Sequence, residues 1–202
     1  MRRSGPIALL VAWPLLGLVA CGSGSPANTA TPLPLKARLI KRGEFPGFTP
    51  GTPVSLTSTK AYFESPTGLT ATDRTAWMAR FTKERFKQDV TELLTGADGS
   101  SQALSGVMQL GSAASAQAEL AAERGFSEEH GATQFSVKTI PGAVGYDLTN
   151  PTSSGENVLF ADGPFLYIVG YGWYGSARNP KHAALVEAAT KLYARVRGHP
   201  TS

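Results

Sequence analysis

The sequence predicts an α+β fold: an antiparallel sheet of about five or six strands with three helices packed on it, in a single domain. Three observations carry this. Val158-Leu-Phe-Ala161, then Asp162-Gly163, then Phe165-Leu-Tyr-Ile-Val169 make two apolar arms around a tight turn. Helical spacing of apolar residues follows Thr70, Ser112 and Asn179. The segments between are short, alternate in polarity and are joined by turns containing Pro or Gly.

Before the domain comes an export signal, residues 1–20. Met1, Arg2 and Arg3 supply positive charge, and Ile7 to Ala20 is apolar throughout. A membrane-spanning helix needs about 20 apolar residues, so this run fits the apolar core of a cleaved signal peptide instead. Arg2-Arg3 is followed by Ser4-Gly5-Pro6, which lacks the apolar residue usual after a twin-arginine pair and favours export of the unfolded chain. Leu18-Val19-Ala20-Cys21 resembles the lipobox of bacterial lipoproteins. The resemblance implies that the Cys21 thiol takes a diacylglycerol and that cleavage leaves Cys21 as the first residue. An odd cysteine in an exported chain asks for such an explanation. Two acyl chains anchor stably where one holds only reversibly. The chain is therefore expected on the outer, extracytoplasmic face of a cell membrane, held by lipid on Cys21.

Residues 21–35 read as a lipidated, flexible tether. Gly22 to Pro34 is uncharged and rich in Gly, Ser and Pro, a composition that cannot bury a core. It sets the domain on the order of 20 Å from the membrane, and at most about 45 Å.

The domain is expected over 36–198, with 199–202 as a tail. Gly43 to Gly51 is too dense in Pro and Gly for regular structure. Val54 to Thr59 suits a short strand. Thr70 and Asp73 start a helix, and Trp77, Met78, Phe81, Phe86, Val90, Leu93 and Leu94 form one broad stripe along it, ending at Gly96-Ala-Asp-Gly99. Gln102 to Leu110 suits a strand, weakened by Gly106. Ser112 opens an alanine-rich helix to Arg124, with Gly125 as its left-handed cap and Phe126 folding back. Phe135 and Val137 alternate with polar residues over Thr133 to Thr139. Pro141-Gly142 turns the chain, and Val144, Tyr146 and Leu148 alternate again. Asn150 to Gly155 is a loop. The Asp162-Gly163 hairpin follows, buried on both faces. Asn179 caps the last helix, Pro180 is its first residue, Leu185, Ala189, Leu192 and Val196 line one face, and Gly198 ends it.

The Ser112–Arg124 helix after a strand, and the VLFADGPFLYIV hairpin followed by the Asn179 helix, resemble small exported lipoproteins of high-GC Gram-positive bacteria. Some of these have PsbP/Mog1-like folds. The motifs are structural, so the resemblance implies a fold and no activity.

The basic character is weak once the signal is removed: 17 Lys and Arg face 15 Asp and Glu, a net +2. That is no footprint for nucleic acid. The charge is nevertheless segregated, at +4 from Lys36 to Thr95, −6 from Gly96 to Ala177 and +4 from Arg178 onward. A solvated mixed surface explains this; attraction of the basic segments to anionic lipid is the alternative. With no cysteine after Cys21, the domain holds together by packing alone.

Gly170-Tyr-Gly-Trp-Tyr-Gly175 matches G-x-G-x-x-G, but the helix starts at Asn179 and no second strand with an acidic residue follows, so it is no dinucleotide site. His130, His182 and His199 stand apart without metal spacing and read as solvated. No G-x-S-x-G occurs; Glu156, Asp147 and Asp162 are the carboxylates of the strand region, of which Asp162 has a turn role. No catalytic, cofactor or metal residue is assigned. Tyr171, Trp173 and Tyr174 are the candidate contact residues, an aromatic platform at a strand end for an envelope protein, glycan or lipid. Three functions follow in order: a non-catalytic binding or accessory module of the cell envelope; a carrier of an apolar ligand between sheet and helices around Trp77, Phe81 and Phe86; and a hydrolase with an unrecognised site.

Overall fold

The computed structural model describes residues 33–60, 71–98, 101–149, 153–174 and 181–199. The signal, Cys21 and most of the tether lie outside these. A single 3-10 turn, Leu35–Arg38, precedes β1 (Phe48–Pro50), β2 (Val54–Leu56), α1 (Ala71–Lys83), β3 (Gln88–Gly96) and β4 (Gln102–Gln109). Then come α2 (Ala113–Glu129), β5 (Thr133–Ser136), β6 (Val144–Thr149), β7 (Ser153–Asp162), β8 (Phe165–Tyr174) and α3 (His182–Val196).

The fold is α+β, with one antiparallel sheet in the order β1-β3-β4-β8-β7-β6-β5 and β2 also pairing with β3. Eight strands exceed the five or six expected. The sheet is covered on both faces. On one, Val107, Val158, Phe160, Tyr167 and Val169 pack against Leu185, Ala189 and Leu192 of α3 and against Leu39, Ile40 and Phe45 of the N-terminal segment. On the other, Met108, Leu159, Leu166 and Tyr146 meet Phe81 of α1 and Ala116 and Leu120 of α2. Full burial of each large apolar side chain contributes about 1.5–3 kcal/mol, and alternation along β7 and β8 lets the same two strands feed both cores, Val158 and Phe160 on one face and Leu159 on the other.

Several expectations hold. The hairpin turns at Gly163 with φ 56°, and the Ser112 hydroxyl accepts from the Ser115 amide at the start of α2. Four boundaries are corrected. The helix expected to run to Leu94 stops at Lys83, and Val90, Leu93 and Leu94 belong to β3. Val90 and Leu94, four apart, satisfy helical spacing and strand alternation equally. Arg85, at φ 53°, reverses the chain, and Val90, Thr91 and Thr95 favour an extended backbone. The strand puts Leu93 on the face opposite Val90 and Leu94.

The Gly43–Gly51 stretch does contain a strand, because Pro50 sits at an edge where no ladder donor is required. Gly125 does not end α2, which continues to Glu129, and Gly131 takes the positive φ of 81° instead. The continuation lets Phe126 pack edge-on against Trp77 at 5.2 Å. The loop expected to Gly155 gives way at Ser153 to β7, whose Ser154 pairs with Trp173. Asn179 and Pro180 lie outside the described residues; α3 starts at His182 with Lys181 at its cap.

Candidate functional site

Polar groups drawn into the two cores mark the places where chemistry or recognition is available. The first is at the start of α3. Glu156 on β7 is buried, and its Oε2 lies 2.8 Å from Nδ1 of His182. The His182 ring rests edge-on against Phe135 at 4.8 Å and is half exposed. A carboxylate holding Nδ1 orients the imidazole with Nε2 outward, the geometry of a general base or a directed hydrogen-bond donor. Among the described residues His182 meets Glu156 and Phe135 and no nucleophile, so half of a catalytic arrangement is present. Beside it, Lys181 Nζ lies 5.9 Å from the Phe48 ring.

The second polar group lies between α1 and α2. Arg80 donates from Nε and Nη2 to both oxygens of Glu119, at 2.7 and 2.8 Å, and Glu119 is fully buried. Its guanidinium also stacks on Trp77, 4.6 Å from the ring centre, and reaches Glu123 at 3.6 Å. One guanidinium thus serves two carboxylates. Burial, with the neighbouring Glu119 charge adding to it, pushes the Glu123 carboxyl up to about 8. The Tyr146 hydroxyl is buried without a partner among the described residues, and burial raises it to about 12.

A third feature is apolar. Register aligns Leu93, Leu104, Gly170, Asn157 and Tyr146 across the sheet. α1 and α2 cover only part of that face, and Leu93 and neighbouring Val54 are each 59% exposed. At Gly170 a Cβ would displace the Asn157 side-chain amide, which occupies the space above the glycine.

The candidate contact residues divide. Tyr171 is buried in the core, 5.6 Å from Phe48 and 6.4 Å from Phe45, so it supports the fold and presents no platform. Trp173 and Tyr174 belong to β8 in backbone; their side chains lie outside the described residues. Of the histidines expected to be solvated, His130 is exposed and rests on Phe126 at 4.0 Å, His182 is half exposed but pairs with Glu156, and His199 has its Nδ1 buried without a partner among the described residues. The aromatics that suggested an apolar cavity are packed on one another, Phe81 stacking on Phe86 at 5.2 Å and Trp77 lying 6.1 Å from Phe81. Among the described residues no cluster of His, Cys, Asp and Glu has metal-binding geometry, and no helix is long and apolar enough to cross a membrane.

Glu156 and His182 are 26 residues apart, a contact no local spacing encodes. The Arg80–Glu119 pair had one weak signal: Glu119 shares a helical face with Ala116 and Leu120, the buried side of α2.

No family model matches the chain, and no curated protein matches it. Among solved structures, the crystal structure of the extracellular domain of PknH from Mycobacterium tuberculosis is similar, with a TM-score of 0.54 at 9% sequence identity, covering 82% of this chain and 99% of that one. A likeness at that identity is one of fold.

Proposed function

We propose that this chain is a lipid-anchored, extracytoplasmic binding or accessory module of the cell envelope, without catalysis of its own. The observation that carries it is the order of parts: a charged start, a 14-residue apolar run, Cys21 in a lipobox-like setting, an uncharged spacer, and then a folded unit. The similar fold of the PknH extracellular domain supports a place outside the cytoplasm. The Arg80–Glu119 pair is buried between helices, where it serves the fold. Trp173 and Tyr174 are the aromatic residues proposed to contact a protein, glycan or lipid; Tyr171 is given to the core.

Mass spectrometry of the native protein extracted from membranes tests the anchor. A mature N-terminus at Cys21 carrying diacylglycerol is expected, and Cys21→Ala should abolish that lipid and leave at the membrane at most a fraction that salt releases. A chain cut elsewhere, unlipidated and released with or without Cys21, would refute the reading.

A further inference from the structure

The N-terminal segment, the end of α3 and two sheet connections meet at one end of the domain. Arg38 donates to the Leu33 carbonyl at 3.0 Å, to the Tyr167 hydroxyl at 2.8 Å and to the His199 carbonyl at 3.5 Å. The Leu110 amide donates to the Pro164 carbonyl, and the Lys87 amide to the Gln109 carbonyl. The start of β3, the end of β4, the β7–β8 turn and the C-terminus of α3 therefore share this end with Leu33, where the described chain takes over from the tether.

Its exposed charges have one sign. Lys36, Lys83, Arg85, Lys87 and Arg197 are all exposed. Lys36, Arg85, Lys87 and Arg197 have no acidic partner among the described residues, while Lys83 meets Glu84 only at 3.9 Å. The carboxylates nearby are drawn inward: Glu84 and Asp89 are buried, and the half-covered Asp162 accepts from the Gly198 amide. The opposite end is mainly acidic, with Asp98, Asp147 and, at the α2 terminus, Glu128 and Glu129, beside the cation Lys181. The sequence segregates charge by stretch, and the fold converts that into segregation by end.

We propose that this basic end is a docking surface for anionic lipid headgroups, so that the domain sits end-on at the membrane with the Glu156–His182 end pointing away. Two features favour lipid as the occupant. The tether joins the domain at this end, and its spacer of roughly 20 Å keeps the patch within reach of the bilayer. Each exposed cation near an anionic surface contributes about a fivefold gain in binding, from roughly 1 kcal/mol apiece. Orientation rests on the Cys21 anchor proposed above; the affinity for lipid does not.

The test uses the mature chain with Cys21→Ser, which carries no lipid, sedimented with vesicles at low ionic strength. Binding is expected to vesicles containing phosphatidylglycerol and not to pure phosphatidylcholine, and to weaken as salt shortens the Debye length. Lys36→Ala, Lys87→Ala and Arg197→Ala together should weaken it about a hundredfold with the thermal midpoint unchanged. A control of equal net charge, Arg74→Ala, Arg124→Ala and Lys181→Ala, should lose less than threefold. Equal losses in the two triple variants, indifference to lipid charge, or binding to soluble polyglutamate without binding to anionic vesicles would each overturn the proposal. Lipidation of Cys21, read separately by mass, decides the anchor whichever way the vesicles answer.

Discussion

Arg80→Met is expected to destabilise the folded domain by about 3–5 kcal/mol, measured as a fall in the denaturant midpoint at unchanged slope. Glu119 is fully buried and receives both of its charge-assisted hydrogen bonds from Arg80. Methionine fills much of the same volume but leaves that carboxylate buried without its cation, with only the Glu123 carboxyl beside it, which is the costly half of breaking an interior ion pair. Adding Glu119→Leu should recover most of the loss, because a pair of apolar residues carries no desolvation penalty. Recovery by the second substitution separates lost charge pairing from lost packing. A single-variant loss below about 1 kcal/mol would mean that Glu119 reaches water in the folded state.

The same seam gives stability a pH dependence of definite sign. Burial, and then the charge of Glu119, hold the Glu123 carboxyl up near 8, against 4.5 for an ordinary glutamate. Between those values the unfolded chain has released its proton while the folded chain keeps it, so stability falls as pH rises, by at most about 1.4 kcal/mol per pH unit. Glu123→Gln, which keeps the shape and cannot ionise, is expected to flatten this slope between about pH 5 and 8. Asp89 adds in the same direction over a lower window, since burial raises it from 3.8 to about 6. An unchanged slope in the Gln variant would assign the pH dependence elsewhere.

The parts of the fold that were legible in the sequence are those whose burial is periodic and local. The β7–β8 hairpin has apolar residues on both faces and a turn that needs Gly163, so both pattern and conformation name it. In α3, Leu185, Ala189, Leu192 and Val196 lie on one stripe and all are buried. β3 is hard to read because Val90 and Leu94 fit either period; the β-branched Val90, Thr91 and Thr95 lean toward the strand, and pairing with β1, β2 and β4 decides for it. Charged residues were misjudged for a different reason. A solvated surface is the ordinary fate of Arg38, Glu119 and Glu156, yet each is buried. What holds them inside is a partner distant in sequence, Tyr167 for Arg38, Arg80 for Glu119 and His182 for Glu156. Tyr171 erred the other way: an aromatic at a strand end suggests a platform, and the N-terminal segment with Phe45 and Phe48 closes over it.

Arg38→Met is expected to be the most damaging change at the basic end, costing about 3 kcal/mol near neutral pH. The guanidinium is completely buried, lies 3.9 Å from the centre of the Phe165 ring, and ties together Leu33, Tyr167 and His199. Methionine keeps the contact with Phe165 and loses every hydrogen bond, leaving the Tyr167 hydroxyl without its guanidinium donor. Asp162 makes the loss pH-dependent. Burial already raises its carboxyl while the Arg38 charge opposes the rise, so removing Arg38 lifts it further. As pH falls through the ordinary aspartate value of 3.8 that carboxyl takes up its proton whether the chain is folded or not, and this part of the cost fades. The variant should therefore lie closer to the parent at pH 4 than at pH 7, a difference read from paired denaturant titrations. Hydrogen exchange localises the effect. Arg195 still holds Ala37, Leu39 and Glu44 through its own guanidinium, so faster exchange is expected at the Ala37 amide, which bonds to the Pro34 carbonyl, and little change at the Ile40 amide, fixed by Ser105. Equal acceleration at both sites would show that Arg38 alone straps the segment down, and uniform protection that it does not strap it at all. Between those outcomes the two arginines divide the work: Arg195 fixes the segment along α3, and Arg38 fixes the point from which the tether leaves the domain.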